Sequence, residues 1–105
     1  MSLFTNDYGT AIVAECLGNT VQYGTPNQYN TRAGWNKVVS IGSSKVAIAW
    51  NNETSPYDVK LVIGTVNATN NTISFGTAVT VGTGDSNPNI ALAYDENASK
   101  IVVYY

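Results

Sequence analysis

The sequence predicts an all-β protein made of two tandem four-stranded antiparallel repeats, each the size of a β-propeller blade. Short stretches rich in Val, Ile, Thr and Tyr alternate with Gly, Asn, Ser and Pro, and no helical periodicity interrupts them. This pattern is typical of strands joined by turns. The stretch T-V-Q-Y-G-T at residues 20–25 also returns as T-I-S-F-G-T at residues 72–77. The chain therefore contains an internal repeat.

Four strands are predicted in each half of the chain. The first hairpin closes at Gly18–Asn19, which suits a two-residue turn with positive φ. After the shared Gly-Thr, the second repeat is predicted to continue as a strand through A-V-T-V, whereas the first repeat is predicted to leave the strand. The predicted strands cover residues 8–17, 20–25, 37–42, 45–51, 57–66, 72–81, 89–94 and 100–105.

The two repeats, residues 1–50 and 51–105, align with length changes only in hairpin loops. Strands that keep their length while loops absorb insertions are expected of homologous repeats. The matched landmarks are Tyr8 with Tyr57, Gly24 with Gly76, and Lys45 with Lys100, at separations of 49, 52 and 55 residues.

Two blades cannot close a propeller, so the repeat raises a question of assembly. Tyr105 aligns with Trp50, after which the chain continues into its second repeat, so the start of another copy can follow Tyr105 in the same way. Head-to-tail contacts of this kind close into a ring, and three copies give six blades. We therefore expect a homo-oligomer, with a trimer favoured and with interface candidates Phe4, Tyr8, Trp50 and Tyr105. The alternative is a single eight-stranded β-sandwich or barrel.

Three stretches carry a resemblance to known repeats. They are I-S-F-G-T-A-V-T-V, I-A-L-A-Y-D-E-N-A-S-K-I-V-V-Y-Y and, from the start of the chain, Y-G-T-A-I-V. Together they resemble a repeat of about 50 residues, similar to propeller blades, in tail-associated and virion proteins of marine bacteriophages. The middle of the first repeat departs from this pattern. The resemblance implies a virion structural or host-recognition role and implies no catalytic residues.

Composition excludes several functions. Charged residues make up 11% of the chain and the net charge is −2, so nothing indicates binding to nucleic acid or to an acidic membrane. There is no histidine and one cysteine, Cys16, which we expect to be a small buried strand residue. These counts argue against a cofactor, a thiolate or imidazole metal site and general acid–base catalysis. The chain has no signal-like or membrane-spanning stretch, so we expect a soluble protein, virion-associated if the phage resemblance holds.

The acidic residues give only a weak indication of chemistry. No two of them are marked as a catalytic pair, and most fall in predicted loops. The oxygen-rich stretches G-T-G-D-S-N-P-N and Y-D-E-N leave calcium binding by Asp85, Asp95 and Glu96 as an open alternative. We predict no metal site and no catalytic residue.

The segment Y-N-T-R-A-G-W-N at residues 29–36 is the strongest candidate for binding. Aromatic rings stack on sugar faces while guanidinium and amide groups bind hydroxyls, so this mixture suits a shallow polar pocket. Subunit contact and simple packing remain alternatives, because Trp and Arg are also common interface anchors. The candidate ligand-binding residues are Tyr29, Arg32, Trp35 and Asn36.

From the sequence we therefore expect a non-enzymatic virion structural protein or host- and surface-recognition protein. The alternative is a soluble oligomeric lectin with carbohydrate sites near residues 29–36. The expected partners are other copies of the chain and either a glycan or other virion proteins.

Overall fold

The computed structural model describes residues 8–86 and 89–105, and within them it confirms the all-β class. These residues form eleven strands and no helix, and the paired strands are antiparallel. The strands are β1 (Gly9–Ala11), β2 (Ala14–Leu17), β3 (Thr20–Tyr23), β4 (Asn27–Asn30), β5 (Gly34–Gly42), β6 (Lys45–Asn51), β7 (Asp58–Asn67), β8 (Thr72–Phe75), β9 (Val79–Thr83), β10 (Ala91–Asp95) and β11 (Lys100–Tyr104).

The strands form three layers. Strands β1 to β4 make the first hairpin, in which β1 pairs with β4 and β2 pairs with β3. Strands β5 to β9 make the central sheet in the order β5-β6-β7, and β8 and β9 follow one another along the far edge of β7, each pairing with a different half of it. Strands β10 and β11 make the last hairpin. This arrangement differs from the single eight-stranded sandwich or barrel considered from the sequence.

The central sheet joins the two repeats. Strand β6 closes the first repeat and β7 opens the second, and they pair over seven residues, from Lys45 opposite Thr65 to Asn51 opposite Val59. The strands of residues 1–50 and 51–105 thus share a sheet. The central sheet therefore combines the last two strands of the first repeat, β5 and β6, with the first strands of the second repeat, β7 to β9.

Both repeats break their second strand at the same place, which corrects two of the predicted strands. The backbone N–H of Gly24 donates to Val13 O, and that of Gly76 donates to Ile63 O, both at 3.0 Å. After each glycine the strand resumes, as β4 in the first repeat and as β9 in the second. The prediction that only the second repeat continues as a strand was therefore wrong, and β4 was missed.

The same hydrogen bonds correct the alignment of the first strand. Val13 and Ile63 occupy equivalent positions and are 50 residues apart. Because Tyr8 and Tyr57 are 49 residues apart, matching them places the first strand one residue out of register. The predicted strand 8–17 is also divided into β1 and β2 by Ile12 and Val13.

The core lies on the two faces of β6. Ile48 and Trp50 project to one face and cluster with Ala33 and Val62, against Ala11 and Tyr29 of the first hairpin. Ala49 projects to the other face and clusters with Val59 and Ile90, against Leu92 and Val103 of the last hairpin. Because side chains alternate along a strand, the two hairpins cover opposite faces of the central sheet.

Cys16, expected to be buried, is exposed. It lies on β2, whose four residues are all exposed. No second layer covers this side of the first hairpin among the described residues, and the apolar stretch around Cys16 therefore contributes little to the core of one chain.

Trp50→Phe is expected to cost far less free energy of unfolding than Trp50→Ala. The buried indole N–H of Trp50 has no hydrogen-bond partner within residues 8–86 and 89–105, and an unsatisfied buried donor costs about 1–3 kcal/mol. Phenylalanine removes that donor, which offsets part of the lost packing. Alanine leaves a cavity worth about 3–5 kcal/mol. Urea unfolding of the three proteins measures the difference, and equal losses for the two variants would contradict this account.

Candidate functional site

The segment of residues 29–36 carries the chain from the first hairpin to the central sheet. Tyr29 and Asn30 end β4, whereas Trp35 and Asn36 lie near the start of β5. Between them, Ala33 is buried in the cluster around Trp50. Burial of Ala33 therefore fixes the middle of the segment to the core, and this contact sets the positions of the neighbouring side chains.

Tyr29 is a packing residue. Its ring lies 4.9 Å from the ring of Trp50 at 56° and 5.7 Å from the ring of Phe75 in an edge-on arrangement. Its hydroxyl donates a hydrogen bond to Asn36 Oδ1. Burial raises the pKa of the Tyr29 phenol above its ordinary value. Contacts with two core aromatics fix the position of this ring, and sugar stacking by Tyr29 stays a prediction.

Side-chain amides hold the shape of the segment. Asn30 Nδ2 donates to the backbone oxygen of Arg32 and to Asn52 Oδ1, both at 2.9 Å. Asn36 Nδ2 lies 3.5 Å from the backbone oxygen of Ala33, to which it donates. Since these bonds tie the segment to its own backbone and to the loop after β6, the two amides are engaged in local structure.

Arg32 is half-buried, and its Nε has no hydrogen-bond partner in the described part of the chain. A buried donor that lacks a partner is unfavourable unless another group satisfies it. The guanidinium is therefore a candidate for an acceptor supplied from outside the chain.

Trp35 is the most unusual residue of the segment. Its φ is 56°, a backbone conformation that bulky side chains rarely adopt. The strain coincides with a shift of register between Gly34 and Lys37, where β5 meets β6. Bulges of this kind redirect a side chain. Here the Trp35 side chain is 51% exposed, so the bulge presents an indole ring to solvent.

A cleft of about 390 Å³ lies between the first hairpin and the central sheet. Its wall is mostly apolar and includes Ala11, Val13, Val38 and Val46, while Tyr29 and Asn36 belong to its lining. Arg32 and Trp35 do not line it. The four candidate binding residues therefore divide between the cleft and the surface of the segment.

The interface candidates also separate. Tyr8 and Tyr105 are exposed, and the Tyr105 hydroxyl donates to the backbone oxygen of Val81 at 3.3 Å. Trp50 is fully buried inside the chain, so its side chain is not available to another subunit. Phe4 lies outside the described residues.

The acidic loops do not converge on a metal site in the described residues. No group of three or more His, Cys, Asp or Glu side chains lies close enough there to hold a metal ion. Asp95 accepts hydrogen bonds from the backbone N–H groups of Asn97 and Ala98, at 3.0 and 3.2 Å, and so caps the turn of the last hairpin. No helix in this part of the chain is long and apolar enough to cross a membrane.

Comparison with known protein families gives no match, and neither the curated proteins nor the solved structures contain a match to the chain.

Apolar surfaces outside the segment were not predicted from the sequence. The outer faces of both hairpins expose large apolar side chains: Ile12, Val21 and Tyr23 on the first hairpin, and Val102 and Tyr104 on the last. These residues sit in ordinary strand patterns. They differ from the residues at equivalent positions of the central sheet in being exposed instead of buried or half-buried.

Tyr29→Phe is expected to weaken the loss of stability at alkaline pH. Because burial raises the pKa of Tyr29 in the folded protein, the unfolded chain releases this proton first as the pH passes about 10. The folded state then binds more protons than the unfolded state, so the free energy of unfolding falls as the pH rises. Urea unfolding at pH 7 and near pH 10.5 (about half a unit above the ordinary value) should give a smaller decrease for Tyr29→Phe. An equal decrease in the free energy of unfolding for the wild type and the variant would contradict a raised pKa of Tyr29.

Proposed function

We propose that this chain is a non-enzymatic surface-recognition protein that contacts its target through Trp35. The observation that carries the proposal is the placement of this residue. A bulky side chain held at positive φ costs about 1–3 kcal/mol and persists where the surrounding structure imposes it, often at ligand-binding sites. Since the Trp35 ring is half-exposed, core packing does not account for the cost.

Resemblance to the repeats of marine bacteriophage virion proteins favours a virion role. The stretches that carry it are β8 with β9, β10 with β11, and β1, so it draws on all three layers. The segment of residues 29–36 lies within the stretch N-Q-Y-N-T-R-A-G-W-N-K, which departs from the repeat. A framework shared with other repeats and a divergent exposed segment fit a structural unit that carries its own recognition element.

Carbohydrate binding is the second candidate function. It is favoured by an exposed indole ring and, three residues earlier in the chain, a half-buried guanidinium whose Nε lacks a partner among the described residues. A sugar offers apolar ring faces to the first and hydroxyl oxygens to the second. Because Tyr29 and Asn36 are engaged with each other, Trp35 and Arg32 are the residues to which we assign contact with a glycan.

The proposed function includes assembly of the chain into a homo-oligomer, for which three copies give six blade-like units. A shallow site built on one exposed ring binds weakly by itself. Repeating the site around an oligomer raises overall avidity without a new contact, provided that the target offers several epitopes within reach.

Trp35→Ala is expected to reduce binding at least about tenfold, because exposed tryptophans at recognition sites are often the residues whose truncation costs most. The measurement is binding of the wild-type chain and the variant to a glycan array and to the surface of marine bacteria. Val79→Ala, at an equally exposed apolar residue, is the control and should bind as wild type does. A glycan signal that depends on Trp35 supports the lectin function, and bacterial binding without one supports recognition of a protein. Absence of both would overturn the proposal.

Trp35→Gly separates recognition from folding. Glycine adopts a φ of 56° without strain, so the free energy of unfolding should stay equal to that of the wild type or rise by up to about 1 kcal/mol. Binding should be lost as in Trp35→Ala. A large loss of stability in urea unfolding would show instead that Trp35 is held in place for packing.

A further inference from the structure

We propose that β11 of one copy pairs with β1 and β2 of a second copy, so that two hairpins from different copies form one four-stranded sheet. Within the described residues β11 pairs only with β10, while β1 and β2 pair only with β4 and β3. Each strand therefore has an unpaired edge, and such edges are templates for pairing with another chain. The inference does not depend on the target that Trp35 contacts.

The chain contains its own template for this junction. In the central sheet, the last strand of the first repeat, β6, pairs with the first strand of the second repeat, β7. Strand β11 is the counterpart of β6, and the pair β1 and β2 is the counterpart of β7. The proposed contact between copies is therefore the contact already made inside one copy.

Two observations fix which residues are equivalent. Val13 and Ile63 accept the same hydrogen bond from the glycine that breaks the neighbouring strand, which sets a separation of 50 residues. Lys45 and Lys100 each begin their strand directly after a serine with positive φ, Ser44 and Ser99, which sets a separation of 55 residues.

Burial of equivalent residues shows what the last hairpin lacks. Ala47 and Ala49 of β6 are 0% exposed, because the last hairpin covers that face of the central sheet. Their counterparts in β11, Val102 and Tyr104, are 57% and 70% exposed. The equivalent face of the central sheet is covered by a further layer. On the last hairpin this apolar face is open.

The first hairpin also has an uncovered apolar face, on the side that points away from the central sheet. Val62 of β7 is 2% exposed beneath the first hairpin, whereas its counterpart Ile12 is 48% exposed. Ile73 of β8 is buried as well, and its counterpart Val21 is exposed. The two uncovered faces belong to opposite ends of the same stack of layers. In the proposed sheet, the central sheet of the copy that supplies β1 and β2 covers Val102 and Tyr104. The central sheet of the copy that supplies β11 covers Ile12 and Val21.

The register of β6 on β7, transferred to the junction, gives a specific pairing. Lys45 lies opposite Thr65, and Ile63 lies opposite Ala47. The equivalent pairs between copies are Lys100 with Glu15 and Val102 with Val13. A lysine thus faces a glutamate directly across the two strands, and such opposite-charge pairs stabilise a sheet.

The cleft beside the first hairpin receives the neighbouring copy in this arrangement. In the transferred register Tyr104 lies opposite Ala11 and Val102 lies opposite Val13, and both Ala11 and Val13 line the cleft. Side chains on directly opposite residues share a face of the sheet. Val102 and Tyr104 of the copy that supplies β11 therefore project into the cleft of its neighbour, toward the exposed Val38 on the far wall. The cleft is a subunit contact, and Trp35 remains outside it.

A second copy is the occupant that the observations favour. The two unpaired edges lie on one chain, they match the two strands of an existing internal junction, and their facing residues are complementary in charge. A contact between two different surfaces of the same chain is head-to-tail and repeats until it closes into a ring.

Light scattering after size-exclusion chromatography tests the assembly. The chain should run as a multiple of 11.2 kDa, with 3 copies expected from six blades. Glu15→Lys places two lysines opposite each other and should raise the dissociation constant about tenfold. Lys45→Glu, at the equivalent lysine inside the chain, is the control and should leave the mass unchanged. A monomer at every concentration would overturn the inference and the assembly. If that monomer still bound its target through Trp35, the recognition assigned to Trp35 would stand without them.

Cysteine cross-linking tests the register independently of affinity. In a Cys16→Ser background, Val13→Cys with Val102→Cys should give covalent dimers and larger species on oxidation, since directly opposite residues lie within disulfide range. Val13→Cys with Val103→Cys is the matched control, because a shift of one residue turns the side chain to the other face. Cross-linking of the control pair as readily as the test pair, or of neither pair, would overturn the register.

Discussion

The burial of β6 on both faces is the constraint on which the rest of the structure depends. Ile48 and Trp50 pack under the first hairpin, while Ala47 and Ala49 pack under the last. Three layers are therefore needed to bury one strand, and the strand itself must pair on both edges. This requirement places strands from both repeats in one sheet, and it leaves the hairpins on either side with one face covered and one face open.

The segment of residues 29–36 contains two aromatic residues with different roles: Tyr29 packs against the core, and Trp35 is exposed to solvent. Tyr29 joins the first hairpin to the core through Trp50 and Phe75, and its bond to Asn36 fixes the start of β5. Trp35, one residue before Asn36, is turned outward by the bulge. A rigid base beneath an exposed ring lowers the entropy lost on binding, which is the physical reason for assigning recognition to Trp35.

Much of the secondary structure followed from the sequence, and so did the hairpin that turns at Gly18–Asn19, whereas the pairing between the two repeats did not. Each predicted strand corresponds to strands of the structure, because turn residues and β-branched runs are local signals. The pairing of β6 with β7, the break at Gly24 and the separation of 50 residues in the first strand depend on hydrogen bonds between distant residues. A shift of one residue exchanges the faces of a strand, which is why matching Tyr8 with Tyr57 misassigns which residues of the first strand are covered. The exposure of Cys16 and the packing of Tyr29 against the core also depend on contacts between residues that are distant in the sequence, so they could not be predicted.

Amide hydrogen exchange of β11, followed residue by residue, tests the account most directly. In one isolated chain alternate amides of Lys100–Tyr104 face an open edge, whereas pairing with a second copy occupies them all. We expect every amide of β11 to be protected to the same degree as those of β6, and alternate amides to lose protection on dilution. Rapid exchange of alternate β11 amides at all concentrations would contradict it.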